Sequence, residues 1–160
     1  MVRVYDYVGP AELLDRVVPG TVGEPVEEVA RTEREPFTYV VDLDGVLRVA
    51  PRRSEHVACA GGRPVLAAGE IAFGDGRIAE VTNQSTGYCP GPESWPAVAA
   101  ALDRAGLDRP DGFTDVFVFR HCPSCAELNV VKDEHYVCVF CDADLPRLSP
   151  RGGGGARRGR

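Results

Sequence analysis

Four cysteines near the end of the chain constrain it more than any other feature. Cys122-Pro-Ser-Cys125 is followed after twelve residues by Cys138-Val-Phe-Cys141. A CxxC turn can aim both its sulfurs at one point, and two such turns at this separation present four thiolates to a single tetrahedral Zn²⁺. With the shell filled, no position remains for water or substrate, so the predicted ion is structural rather than catalytic. Binding of this kind contributes about 10 kcal/mol to folding at neutral pH, enough to organise a segment with almost no core of its own. His121 and His135 lie beside the two knuckles as competing ligand candidates, although four cysteines already complete the shell. Cys-Pro-x-Cys also suits a rubredoxin-like iron. Leu128 to Val131 and Tyr136 to Phe140 read as the two strands of a hairpin around Lys132-Asp133-Glu134, which completes a zinc ribbon.

The remainder has the makings of one ordinary core. The 160 residues are 44% hydrophobic and 26% charged, within the range of globular domains. No run approaches the roughly 18 to 20 apolar residues of a membrane helix, and MVRVYDYVGPAELLDR lacks the apolar stretch of a signal peptide. The expectation is a cytoplasmic protein. In that reducing compartment six cysteines in two CxxC pairs and two singletons favour metal over a disulfide framework, which remains the alternative.

A net charge of −6 conceals a gradient. The last ten residues hold four arginines and no acids, which leaves a body of −10. Such a body repels phosphate backbones. Residues 120–147 are also acidic, at −2 before the thiolates are counted. Nucleic acid is therefore disfavoured as a partner except through residues 148–160, an Arg/Gly tail predicted to be disordered. That tail slightly resembles an arginine-glycine RNA-binding tract, and a solvated terminus without a partner is the plainer reading.

Local patterns sketch the fold. Residues 10–18 open on Pro10 and space Leu13, Leu14, Val17 and Val18 as a short helix; 25–34 carry a thinner helical stripe. From Phe37 the period becomes two, and Asp44-Gly45 predicts a tight hairpin into Val46 to Ala50. A second hairpin joins Val65 to Phe73 with Arg77 to Thr82 through Asp75-Gly76. Pairing Phe73 with Ile78 throws Val81 onto the other face, so a bulge is expected in the returning strand. Ser94 reads as an N-cap for a helix that buries Trp95, Val98, Ala99 and Leu102 and stops at Gly106. Phe113 to Phe119 then reads as a strand feeding the ribbon. The predicted architecture is α+β: an antiparallel sheet of two β-hairpins packed by a helix in residues 1–112, and a strand with a C-terminal zinc ribbon in 113–147.

Between Glu55 and Pro90 the chain gathers unusual chemistry: Glu55-His56-Val57-Ala58-Cys59, Ala68-Gly69-Glu70, and Thr82-Asn-Gln-Ser-Thr-Gly-Tyr-Cys89-Pro90. With the ribbon, these segments resemble a family of uncharacterised bacterial proteins whose pattern runs from a His-containing strand through AGEI to a loop similar to NxSGHYxP. The matching positions are His56, Ala68 to Ile71 and Asn83 to Pro90, which with the ribbon cover roughly half of the chain. Thr86-Gly87 stands where the family has Gly-His, so a role for that histidine is absent here. The resemblance implies a shared fold rather than a reaction.

Four readings of the cluster follow. His56 and Glu70 can act as an acid/base pair, with Asn83, Ser85, Thr86 and Tyr88 binding a substrate. Cys59 or Cys89 can serve as a nucleophile beside His56, or join it as ligands of a second metal. The plainer reading is a core histidine, small buried cysteines and a loop that caps its neighbours. The leading functional expectation is a zinc-stabilised binding or regulatory protein contacting a protein or small molecule. A small His56/Glu70 enzyme is the alternative, and RNA binding through the tail a second one.

Overall fold

Phe37, Thr38, Tyr39, Val40 and Val41 are all aromatic or β-branched, and they form the central strand of the protein. The computed structural model describes residues 2–29 and 36–147. Strand β1 is Glu24–Pro25, β2 Phe37–Val41, β3 Leu47–Pro51, β4 Ala67–Gly74 and β5 Arg77–Val81. They build one antiparallel sheet in the order β1-β3-β2-β4-β5. The two predicted hairpins are β2–β3 and β4–β5, joined by pairing of β2 with β4. The edge strand β1 was not foreseen; two residues ending in proline carry no periodic signal, and an edge is where a strand tolerates proline.

Four of the five residues of β2 are buried, on both faces of the sheet. Tyr39, Val41, Ile71, Phe73, Ile78 and Val81 face helix α3 (Trp95–Arg104), from which Val98, Ala101 and Leu102 enter the same core. Val40 and Ala68 face the other way, into a smaller cluster with Tyr5, Val65, Tyr88 and the helical turn α2 (His56–Cys59). Leu13 and Val17, from in and beyond the short helix α1 (Ala11–Asp15), pack on its margin. Within the described part of the stripe expected over residues 25–34, a 3-10 turn forms at Val26–Glu28; residues 30–35 lie outside the described residues.

The two hairpin turns differ. Asp75 and Gly76 both adopt positive φ, 55° and 78°, as a two-residue primed turn requires. At the first hairpin only Gly45 does so, with φ 83°, because the loop is longer than Asp44-Gly45. Asp42 organises it: one carboxylate oxygen accepts the N–H groups of Asp44 and Val46 at 2.9 and 3.0 Å, and the other pairs with Arg48 at 2.9 Å. The bulge expected in β5 is present: Phe73 faces Ile78 and Ala72 faces Glu80, so Ala79 is the extra residue and Ile78 and Val81 share one face.

Helix α3 ends as its sequence predicts. Gly106 has φ 74°, its N–H reaches the Asp103 carbonyl, and Leu107 N–H reaches that of Leu102, the paired bonds of a Schellman motif. Its start differs: Ser94 is itself helical and closes a 3-10 turn, with its hydroxyl donating to the Gly91 carbonyl at 2.7 Å instead of accepting a helix N–H. Trp95 packs edge-on against Phe113, with centroids 5.1 Å apart. Residues 113–117 are not a strand. Thr114 Oγ1 accepts the Val81 N–H and donates to the Val81 carbonyl, hooking this segment to the end of β5. Strand β6 is Val118–His121 and pairs with β7, Leu128–Val131.

Gly69 explains how the chain leaves the sheet. A Cβ at this position would collide with the Thr82 carbonyl oxygen and approach the Tyr39 ring to 3.0 Å. The bare backbone lets Thr82 close over it, and the fully buried Tyr39 hydroxyl donates to that carbonyl at 2.7 Å. Replacing Gly69 with alanine should destabilise the protein by about 2 kcal/mol or more, since a backbone carbonyl cannot yield as a flexible side chain does. Urea unfolding of Gly69→Ala tests this, and an unchanged midpoint would refute it.

Candidate metal centre

The cysteine unit is two copies of one backbone device. In the first knuckle the Cys122 N–H donates to the Glu127 carbonyl at 2.9 Å and Ala126 N–H to that of Cys122 at 2.8 Å. In the second, Cys138 N–H donates to Ala143 at 2.8 Å and Asp142 N–H to Cys138 at 2.9 Å. Ala126 and Asp142 hold matching positive φ values of 69° and 66°. In each, the N–H two residues on, Ser124 or Phe140, points at the first sulfur from 3.3 Å. The strand pairing differs from the sequence expectation. Leu128–Val131 pairs with Val118–His121 across the first knuckle rather than with Tyr136 to Phe140, and the second knuckle is closed by one bridge between Val137 and Asp144. A knuckle brings its own flanks together, so it outcompetes pairing across the Lys132-Asp133-Glu134 turn.

The four sulfurs converge. Cys122 lies 3.6 Å from Cys141 and Cys125 3.6 Å from Cys138, and all four fall within 4.8 Å of one another. Metal–sulfur bonds of about 2.3 Å give a tetrahedron with edges of about 3.8 Å, so these residues can hold one metal ion. The chemistry of the donors agrees. Desolvation pushes the Cys138 thiol up, but hydrogen bonds from Asn129 and the N–H groups of Phe140 and Cys141 bring it down to about 6. The N–H groups of Cys125 and Ser124 likewise lower Cys122. Cys125 goes the other way: a backbone hydrogen bond at Glu127 lowers it, yet desolvation and the three facing sulfurs push it up to about 12. Four thiols this close cannot all ionise without a cation among them.

Asn129 is a site residue that sequence reasoning missed. It is buried; its amide nitrogen donates to Cys138 Sγ at 3.4 Å and to the Glu127 carbonyl at 3.2 Å, and its oxygen accepts the Val139 N–H at 2.9 Å. It ties the knuckles together and orients the Cys138 sulfur. Its one sequence signal is an amide inside an otherwise apolar strand. Arg120 is a second such residue, buried with its guanidinium donating to the carbonyls of Phe119, Pro146 and Arg147 and lying 5.8 Å from the Tyr136 ring centroid. His121 and His135 are exposed and outside the sulfur group.

Beside the sheet, His56 begins a helical turn rather than occupying a strand, because the Glu55 carbonyl captures the N–H groups of Ala58 and Cys59. Its Nε2 lies 2.8 Å from the Gly69 carbonyl oxygen. Glu70 follows in β4, its N–H donated to Thr82 Oγ1 at 3.2 Å. The loop residues turn inward. Asn83 donates to the carbonyls of Pro90 and Phe117 and accepts the Phe117 N–H, Ser85 Oγ accepts the Tyr88 N–H, and the Tyr88 hydroxyl donates to the Arg63 carbonyl. Thr86 is exposed. Burial pushes the thiols of Cys59 and Cys89 up to about 12, leaving them protonated and weakly nucleophilic at neutral pH. Among the described residues the tetrad is the one group of three or more His, Cys, Asp or Glu side chains placed to share an ion, so His56, Cys59 and Cys89 do not form a second.

No protein-family model, curated protein or solved structure matches this chain. Among the described residues no helix is long and apolar enough to cross a membrane.

Burial holds the His56 imidazole below its usual 6.5, against the hydrogen bond at Gly69 and the charge of Glu55. The folded chain therefore binds this proton less readily than the unfolded one. The stability it contributes is present above about pH 6.5 and lost as pH falls through the lower folded value. Chemical unfolding of wild type and His56→Gln across that range should show wild type losing stability relative to the variant by up to about 1.4 kcal/mol per pH unit. Parallel profiles would mean that His56 titrates alike in both states.

Proposed function

We propose that the tetrad holds a structural Zn²⁺, that residues 118–147 form a zinc ribbon around it, and that the protein is a binding or regulatory module acting through contact with a partner. A tetrahedral set of four sulfurs is the coordination chemistry of zinc or of a single iron, and zinc asks for no redox partner. The closed shell supports a structural role. The observation that carries the binding reading is the tip of the second knuckle. Val139 and Phe140 are 74% and 62% exposed on a rigid, metal-clasped turn, where the first knuckle has Pro123 and Ser124. Neither supports the fold from inside, and a paired apolar tip held away from the core is the form of a contact surface. Asp142 and Asp144 beside it, with a shell of four thiolates around a divalent ion, weigh against phosphate-bearing partners.

The acid/base alternative leaves Nδ1 of His56 as the base, since Nε2 is held at the Gly69 carbonyl, and among the described residues no hydrogen bond joins the ring to Glu70, whose N–H goes to Thr82. The tail invoked for RNA binding, residues 148–160, lies outside the described residues.

Elemental analysis of protein purified without added metal should find about one zinc per chain and no iron. Cys122→Ser with Cys138→Ser should abolish it and melt the ribbon resonances in an NMR spectrum; an ordered ribbon without metal would refute the reading. Val139→Ser with Phe140→Ser should leave zinc content and melting temperature unchanged while partner capture falls by about tenfold or more. Capture insensitive to both changes would remove the tip from the proposal.

A further inference from the structure

On its outward side α3 carries small residues where a surface helix ordinarily carries long polar ones. Pro96, Ala97 and Ala100 form the floor of a groove of about 490 Å³, within the range of small-molecule sites, and Leu66 and Val2 add apolar wall. Pro96 and Arg104 stand eight residues apart, so the groove runs about 12 Å along the helix.

Its two ends differ in charge. At one, Arg3 pairs with Glu93, which also accepts the Tyr5 hydroxyl, so that cation already has its anion. At the other, Arg104 is fixed by neutral acceptors: Nη1 donates to the carbonyl of Gly45 at 2.9 Å and of Asp44 at 3.4 Å. A Cβ at Gly45, whose φ of 83° already favours glycine, would sit 2.8 Å from Nη1 and push the arginine tip aside. No carboxylate among the described residues forms an ion pair with Arg104. A cation oriented by backbone and, among the described residues, without an ion-pair partner at the end of an apolar trough suits an anionic, amphipathic ligand.

We propose that this groove binds an amphipathic carboxylate, with its acid head on Arg104 and an apolar body of about ten carbons along Ala100, Ala97 and Pro96. The acidic body of the protein opposes an anion at long range, but that repulsion is screened beyond about 8 Å at physiological salt, whereas the contact with Arg104 is not. The site is separate from the cysteine unit and does not rest on the function proposed for it.

Decanoate, below its micellar concentration, is the probe for titration of the full-length protein by calorimetry and NMR. Decanoate should bind with shifts confined to α3 and the residues just before it, Val2, Arg3, Leu66 and the Gly45 turn, decylammonium should bind about tenfold more weakly or worse, and acetate should not register. Arg104→Met should remove the preference for decanoate over decanol. Ala100→Trp should abolish decanoate binding with the circular dichroism and melting temperature unchanged, Ala100 being exposed. Absent decanoate binding, equal binding of decylammonium, or full binding by the Ala100→Trp protein would each overturn the proposal. Val139→Ser with Phe140→Ser should leave decanoate binding intact, so failure at the knuckle and failure at the groove are read separately.

Discussion

A missing side chain holds this structure together. Because Gly69 has no Cβ, the Thr82 carbonyl can lie on β4 and take the Tyr39 hydroxyl, and Thr82 Oγ1 can receive the N–H groups of Glu70 and Gln84. The chain is thereby turned off β5 at a fixed angle into Asn83. That buried amide bonds Pro90 on one side and both backbone groups of Phe117 on the other. One close approach in the sheet therefore sets the 83–90 loop and the course of the segment that enters β6. Each neutral bond contributes only about 1 kcal/mol net, but leaving the Asn83 amide buried and unpartnered would cost more, which makes the junction intolerant of partial change.

The cysteine unit faces the opposite physical problem. Among the described residues the main core gathers 14 buried residues around β2, β4 and α3, whereas the terminal cluster has three, of which two are cysteines. Hydrophobic burial on that scale cannot offset the ordering of a segment of this length. The hydrogen bonds from Ser124, Phe140 and Asn129 to sulfur favour the ionised ligands, and mutual repulsion of four thiolates supplies the demand for a cation. A metal ion is therefore the natural substitute for core in this part of the chain.

What could be read from the sequence was what local chemistry determines. Asp75-Gly76, the Ile78 and Val81 mismatch and Gly106 each specify backbone geometry within a few residues, and the turn, the bulge and the helix stop are all present. Expectations failed where a side chain found a better partner farther off. Asp42 widened the first turn, Ser94 turned back to Gly91, Thr114 hooked onto Val81, and each knuckle drew its own flanks together. The convergence of the four sulfurs was legible because spacing alone brings them together. Asn129 and Arg120 were not, since their roles depend on which strand β7 joins and where residues 146 and 147 return. Of the predicted loop, Asn83, Ser85 and Tyr88 read as polar groups in the sequence, and the backbone partners that turn them inward come from distant segments at Arg63 and Phe117 as well as from the loop itself.

The duplicated knuckle carries a final implication. Main-chain N–H groups close each turn, Asn129 adds side-chain bonds to the second, and the two middle positions, Pro123-Ser124 and Val139-Phe140, contribute side chains to none of these bonds. Those side chains are thus decoupled from the clasp and can change without disturbing it. A turn built that way can acquire, exchange or lose what it presents to its surroundings while its geometry stays constant, which makes it a natural place for specificity to evolve.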